Sequence, residues 1–202
     1  LVGRGGDDLL ECAADNDFLI GGSGGDRLFG GDGYDILIDG ADGFDAAQFG
    51  PMANGGAGND VLIYFLGSVG EIGRNNMADG GEGADRYIIE PSCGRWGSIG
   101  VRLSQIDGDK TDLSLLRNQD NSVVTLANVL AAATENIVFG LTNLLIDLAR
   151  FEDAAGNALA GRLNILGGGA AGIGLGCVTD ADFIFGSATP WKSLLPAAVF
   201  PD

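Results

Sequence analysis

Residues 21–38 read GGSGGDRLFGGDGYDILI, two nonapeptides set end to end. Each has glycine at places one, two and four, aspartate at place six and an apolar residue at place eight. Residues 55–63 (GGAGNDVLI) and 80–88 (GGEGADRYI) repeat the pattern in full. Chance predicts roughly 0.05 such windows in a chain of this composition, so four full copies make the repeat genuine. Residues 2–10 (VGRGGDDLL) match except at the first glycine, and residues 12–20 (CAADNDFLI) and 40–48 (GADGFDAAQ) are degenerate copies.

The whole chain is biased toward what the repeat uses. It has 36 Gly among 202 residues and only 5 Pro, without a three-residue glycine period, which excludes a collagen helix. Hydrophobic residues at 46% exclude plain disorder. Eleven basic against 28 acidic residues give a net charge of −17, so a protein that binds nucleic acid by tracking phosphates is excluded. The absence of histidine removes Ser-His-Asp and Cys-His catalysis and His-ligated zinc. No uninterrupted apolar run of 18 residues exists, so no membrane span is expected. The chain opens within a patterned segment and shows no Sec-type signal, as expected of a fragment or processed product. Cys12, Cys93 and Cys177 fit three reduced thiols as well as one bridge and a free thiol. Residues 1–90 hold 17 acidic residues against four Arg, a balance of −13, together with 22 of the glycines. The composition changes near Pro91.

The nonapeptide has a physical logic. Glycine at places one, two and four allows the backbone to turn sharply with its carbonyls inward. The place-six aspartate adds a carboxylate to the same turn. The last residues form a short strand whose place-eight side chain (Leu9, Leu19, Leu28, Leu37, Ala47, Leu62, Tyr87) is expected to face inward. Stacked turns then crowd carboxylates and carbonyls together, which is costly unless a cation lies among them. An all-oxygen donor set suits a hard ion with flexible coordination better than Mg²⁺.

These repeats resemble the repeats-in-toxin (RTX) family of calcium-binding nonapeptides. The resemblance implies a mainly β fold, a right-handed parallel β-roll or β-solenoid with several Ca²⁺ ions in its turns. That roll would occupy residues 1–90 with two insertions, at 49–54 and 64–79. Residues 91–202 would form a β-rich C-terminal capping region with one or two short helices. In such a roll Asp7, Asp26 and Asp45 would line one edge, and Asp17 and Asp35 the other. Asp60 and Asp85 belong to two further turns to which the sequence assigns no stacking partner. Gly3, Gly5, Gly22, Gly24, Gly31, Gly33, Gly56, Gly58, Gly81 and Gly83 would supply turn carbonyls. In the 12–20 copy Ala13 and Asp15 replace two glycines, which predicts a weaker turn, and a cysteine at position 12 is unusual for the family. Residues 99–116 resemble the segment that follows the last repeat, through Asp107, Asp109 and Asp112-Leu113-Ser114.

Beyond the repeats, Leu126, Val129, Leu130 and Ala133 keep helical spacing, and so do Leu141, Leu144, Leu145 and Leu148. Residues 134–139 read as a strand between two helices, and 163–178 as tight strands or turns. Residues 180–186 (DADFIFG) echo 15–21 (DNDFLIG), a further divergent repeat. Enzyme motifs fail on context. GGSGG at 21–25 spells a nucleophile elbow but is the repeat itself, and no histidine exists to activate the serine. GGGAAG at 167–172 precedes poor helix formers and lacks a ribose-binding acid, so a dinucleotide site is excluded. An EF-hand loop from Asp107 would need Glu, not Asn118, at its twelfth position. Places three and five carry mixed residues, so no flat Thr or Asn row for ice binding is present.

The sequence thus leads to a non-enzymatic, calcium-dependent structural module of an exported extracellular or cell-surface protein. Self-association or contact with another surface protein is expected of it. The alternative is the non-catalytic C-terminal region of a secreted enzyme or toxin, and the resemblance implies type I secretion for either. At low calcium the acidic half should repel itself and stay expanded; at millimolar Ca²⁺, binding free energy becomes folding free energy.

Overall fold

The computed structural model describes residues 1–23, 25–38, 53–66, 76–91, 98–103, 108–138, 141–167, 175 and 178–186. The fold is mainly β, with one α-helix among the described residues. From the N-terminus the strands are β1 (Val2–Gly5), β2 (Leu9–Glu11), β3 (Phe18–Ser23), β4 (Arg27–Asp32), β5 (Ile36–Ile38), β6 (Ala53–Ala57), β7 (Val61–Leu66), β8 (Asn76–Glu82), β9 (Arg86–Pro91), β10 (Ser98–Leu103) and β11 (Lys110–Asp112). Odd-numbered strands pair in parallel in one sheet and even-numbered strands in a second. Successive strands up to β11 therefore alternate between the two sheets, and each nonapeptide among the described residues contributes one turn and the strand that follows it.

Register is fixed by what faces inward. In the first sheet Leu19, Leu37, Leu62, Tyr87 and Thr111 lie directly beside one another. In the second, Leu10, Leu28, Ala53, Ala78 and Val101 do the same. All ten are buried, and apart from Thr111 they belong to one hydrophobic cluster. A one-residue slip would turn a whole file to the opposite face, so burial holds the stack in phase. The first sheet also buries Ile36, Ile38, Val61, Ile63 and Ile88 in a second cluster, on the face opposite Leu37 and Leu62 by strand alternation.

Both sheets continue past residue 90. β12 (Arg117–Asn118) and β15 (Phe151–Glu152) form a small antiparallel pair. β16 (Arg162–Gly167) adds to β10 in parallel, followed by β14 (Leu141–Asp147) and β13 (Ala133–Val138) in antiparallel order. The first sheet ends on β17 (Phe183–Ile184), beside β11. The helix α1 (Leu126–Ala132) is capped by Thr125, whose hydroxyl accepts from the Asn128 backbone in a reciprocal capping box. Its Val129 is fully buried in the main core.

Three expectations change. Residues 141–147 are a strand, not a helix: β14 has a partner on each side, and Asn143, Leu144 and Ile146 are all buried. A central strand of this kind imitates helical spacing because burial does not alternate strictly. The insertions are narrower than 49–54 and 64–79, since Ala53 and Asn54 begin β6, Tyr64 is core, and β8 starts at Asn76. The 180–186 echo is shifted by one: Phe183 pairs with inward Thr111, while Asp180–Asp182 form a 3₁₀ turn in which Asp182 caps Thr179.

Leu62→Ala should lower stability by about 2–5 kcal/mol in urea denaturation, the usual range for a buried leucine truncation. Ile137→Ser, at a side chain 75% exposed, should change it by less than about 0.5 kcal/mol. Equal effects would contradict the inward register.

Candidate metal centre

The turns fall into two columns. Those leading from even to odd strands contain Asp17, Asp35, Asp60, Asp85 and Asp109; those from odd to even contain Asp8 and Asp26. Within each column the carboxylates interlock. The backbone N–H of Asp17 donates to Asp35 Oδ1 at 2.7 Å, Asp35 to Asp60 and Asp60 to Asp85 at 2.8 Å each, and Asp85 to Asp109 at 3.0 Å. In the other column the Asp8 N–H donates to Asp26 Oδ1 at 2.9 Å. One oxygen of each accepting carboxylate thus holds the preceding turn.

The second oxygen is different. Oδ2 of Asp8, Asp26, Asp35, Asp60 and Asp85 is buried and has no hydrogen-bond donor. These oxygens lie over the Cα of the place-one glycine of their own turn. A methyl group on Gly30, Gly55 or Gly80 would overlap Oδ2 of Asp35, Asp60 or Asp85, and one on Gly3 would lie 2.6 Å from Asp8 Oδ2. The same methyl positions on Gly30 and Gly55 lie 2.5 Å from the Gly55 and Gly80 carbonyl oxygens of the next turn. Carboxylate and carbonyl oxygens therefore crowd the same glycines.

Places two and four line the stack with further carbonyls. Gly56 and Gly58 have φ of 112° and 145°, the left-handed side that favours glycine. A methyl group on either would overlap the carbonyl oxygen of Gly31 or Gly33 in the preceding turn. Gly81 and Gly83 stand in the same relation to Gly56 and Gly58, and Gly22 meets the Arg4 carbonyl.

The first copy is displaced by one residue from the sequence assignment. Leu10, not Leu9, pairs with Leu28; Leu9 is 59% exposed. Place six is accordingly Asp8 rather than Asp7, and places two and four are Arg4 and Gly6 rather than Gly3 and Gly5. Arg4 takes φ of 85° where later turns use glycine. The adjacent pair Asp7-Asp8 hides the phase, which only the partner strand fixes. Asp7 instead joins an outer series at place five: its Oδ1 accepts from Gly25 N–H, Asn16 from Tyr34 and Asn59 from Ala84, each at 2.9 Å. Asp7, Asn16 and Asn59 at place five are the signal for this second ladder.

Asp60 and Asp85 now have stacking partners. The step along their column is 18 residues from Asp17 to Asp35, then 25, 25 and 24. The equal spacing of GGxGxD at 30, 55 and 80 carries this longer period. Asp109 closes the column and lies fully buried. Asp112 is no part of it: its carboxylate pairs with Arg86, whose Nε donates at 3.0 Å, and accepts from Ser114 N–H at 2.9 Å. Asp45, Gly24, Ala47, Asp107, Cys93 and Cys177 lie outside the described residues. Cys12 is a free thiol; burial and the neighbouring Asp17 carboxylate push its pKa up.

Burial raises the pKa of Asp26 and Asp35, lifts Asp60 to about 6 and Asp85 to about 7, with neighbouring carboxylates adding to the effect. No cationic group figures among the influences on Asp26, Asp35, Asp60 or Asp85, so their anionic form is disfavoured without a cation. Among the described residues no three His, Cys, Asp or Glu side chains converge. Each turn offers one carboxylate surrounded by backbone carbonyls, a donor set made of oxygen alone that fits a calcium-sized ion.

Folded-state pKa values above the ordinary 3.8 mean that the folded chain binds protons more tightly than the unfolded one. In metal-free buffer, stability should fall as pH rises from about 4 to about 7. Thermal melts in chelator that rise over this window would contradict the buried placement of Asp60 and Asp85. Gly58→Ala should destabilise the fold by more than the roughly 1 kcal/mol of a typical point change, since it adds left-handed strain to a backbone overlap.

Comparison with family models, with characterised proteins and with solved structures finds no match to this chain.

Proposed function

We propose that this chain is a calcium-dependent structural module of an exported, extracellular protein, and that its two stacked parallel sheets form a right-handed β-roll of the RTX kind. The observation that carries the reading is the set of five buried Oδ2 atoms without donors, two in one column and three in the other, each crowded against a place-one glycine. An unpartnered buried carboxylate is costly for a fold, and five in register point to a ligand of opposite charge rather than to five separate faults. A bound calcium ion would supply positive charge and oxygen coordination at these turns. Asp8, Asp26, Asp35, Asp60 and Asp85 would each give Oδ2, while Oδ1 of Asp26, Asp35, Asp60 and Asp85 keeps its hydrogen bond to the neighbouring turn. The carbonyls at places two and four would complete the shell.

Regulation follows from the same arrangement. The acidic turns are held together through backbone donors to Oδ1 but repel one another through Oδ2. A cytosol poor in free calcium would leave the repeats expanded, and the millimolar concentration outside the cell would close them. Residues 98–186 would then act as the end on which the repeats stack, since β10 and β11 extend both sheets. Among the described residues no helix is long and apolar enough to cross a membrane, in keeping with a module that is released or displayed rather than embedded by helices.

Circular dichroism of the purified chain should show a gain of strand signal and a higher melting temperature when chelator is replaced by millimolar Ca²⁺. Identical spectra and melts in the two buffers would falsify the proposal. Asp60→Asn offers a sharper test because it keeps an oxygen acceptor for the Asp35 N–H and removes the buried charge. Its melting temperature should exceed that of the wild type in chelator and fall below it in calcium. The same sign of change in both buffers would assign Asp60 a purely structural role.

A further inference from the structure

Seven place-six aspartates lie among the described residues, and the sequence divides their repeats into two kinds. Five have glycine at place one: Gly3, Gly21, Gly30, Gly55 and Gly80. In these five the paired aspartate is Asp8, Asp26, Asp35, Asp60 or Asp85, and its Oδ2 is buried without a donor. The other two turns lack that glycine, with Cys12 before Asp17 and, by the same count, Ser104 before Asp109. In both, a protein side chain stands at the carboxylate.

At Asp17 that side chain is Cys12, whose thiol pKa is raised by burial and by the neighbouring Asp17 carboxylate. At Asp109 it is Tyr87, which takes the inward position held by leucine in β3, β5 and β7. Its hydroxyl accepts from Gly80 N–H at 2.8 Å, donates to the Arg102 carbonyl at 2.6 Å, and lies 3.5 Å from Asp109 Oδ2. The longer column therefore has a side chain at each end and three donor-free carboxylates between them.

The steric reason is visible at Gly30. A methyl group there would overlap Asp35 Oδ2, so a place-one side chain denies the carboxylate the position it takes in the other turns. Cys12 carries such a Cβ, and no oxygen of Asp17 is both buried and without a donor, unlike Oδ2 of Asp35. Its thiol then offers a weak donor in place of the carbonyl-rich surroundings of a glycine.

We propose that Cys12 closes the 12–17 turn to metal, and that glycine at place one, rather than aspartate at place six alone, decides which turns of this chain take a cation. The proposal rests on the calcium reading above but makes a separate claim, about the distribution of ions along the column. The thiol is small, so replacing it with glycine leaves the main-chain bond from Cys12 N–H to the Phe29 carbonyl in place.

The test is a count of bound calcium by equilibrium dialysis with radiolabelled Ca²⁺, using the whole chain. Cys12→Gly should bind one ion more per chain than the wild type, and Cys12→Ser, which keeps the Cβ and a donor, should bind the same number as the wild type. Gly55→Ala should bind one ion fewer, with circular dichroism in calcium reporting whether it folds. An equal count for Cys12→Gly and wild type would overturn the closure by Cys12 while leaving the calcium reading intact. A wild type that binds no calcium at millimolar concentration would overturn both. Because Cys12→Gly alters only an end turn, its result decides the matter even where Gly55→Ala fails to fold.

Discussion

The constraint on which the structure depends is the repulsion between carboxylates one strand spacing apart. Parallel sheets require each turn to lie directly against the next, and the repeat places an aspartate in each of them. Backbone N–H groups take up one oxygen of each accepting carboxylate, as from Asp35 to Asp60 and from Asp60 to Asp85. The other oxygen is driven against glycine, where only a backbone without a side chain leaves room. Hydrophobic burial within the two sheets opposes this repulsion. Leu37 and Leu62 in one sheet, and Leu28 and Ala53 in the other, hold the register that brings the acids together.

The core and the turns thus pull in opposite senses. Burial of apolar side chains needs no counter-ion, whereas the turns bury carboxylates, which is costly without one. On the calcium reading proposed above, a chain built in this way would have its stability set by the ionic composition of its surroundings. The raised pKa values of Asp60 and Asp85 express the same conflict in protons: burial disfavours the anion wherever no opposite charge accompanies it. Glycine enters twice, for different reasons. At places two and four it accommodates left-handed backbone under the carbonyls of the preceding turn. At place one it makes room for a carboxylate oxygen.

Much of this was legible in the residues. The nonapeptide named the turns, the inward leucines of most copies and the aspartates at 17, 26, 35, 60 and 85. It could not phase the first copy, because Asp7-Asp8 and Leu9-Leu10 are both doublets and either reading satisfies the pattern. Only the pairing of Leu10 with Leu28 separates them. Nor did local pattern distinguish the two short apolar segments after residue 125. Residues 126–132 form a helix because Thr125 and Asn128 cap them. Residues 141–147 have comparable spacing but lie between two strands, and their burial follows from those neighbours.

By itself the sequence determined the composition of each turn: where the backbone bends, which residue carries charge, and which face of each strand is apolar. These are local properties, set by glycine conformations and by the two-residue period of a strand. The tertiary structure alone decided which turns lie against which, because contacts 18 and 25 residues apart depend on how much chain is consumed between rungs. It also decided which carboxylate oxygens are left without donors, since that depends on how the turns stack on one another, with bare glycine beside the oxygen in the five turns that carry Asp8, Asp26, Asp35, Asp60 and Asp85.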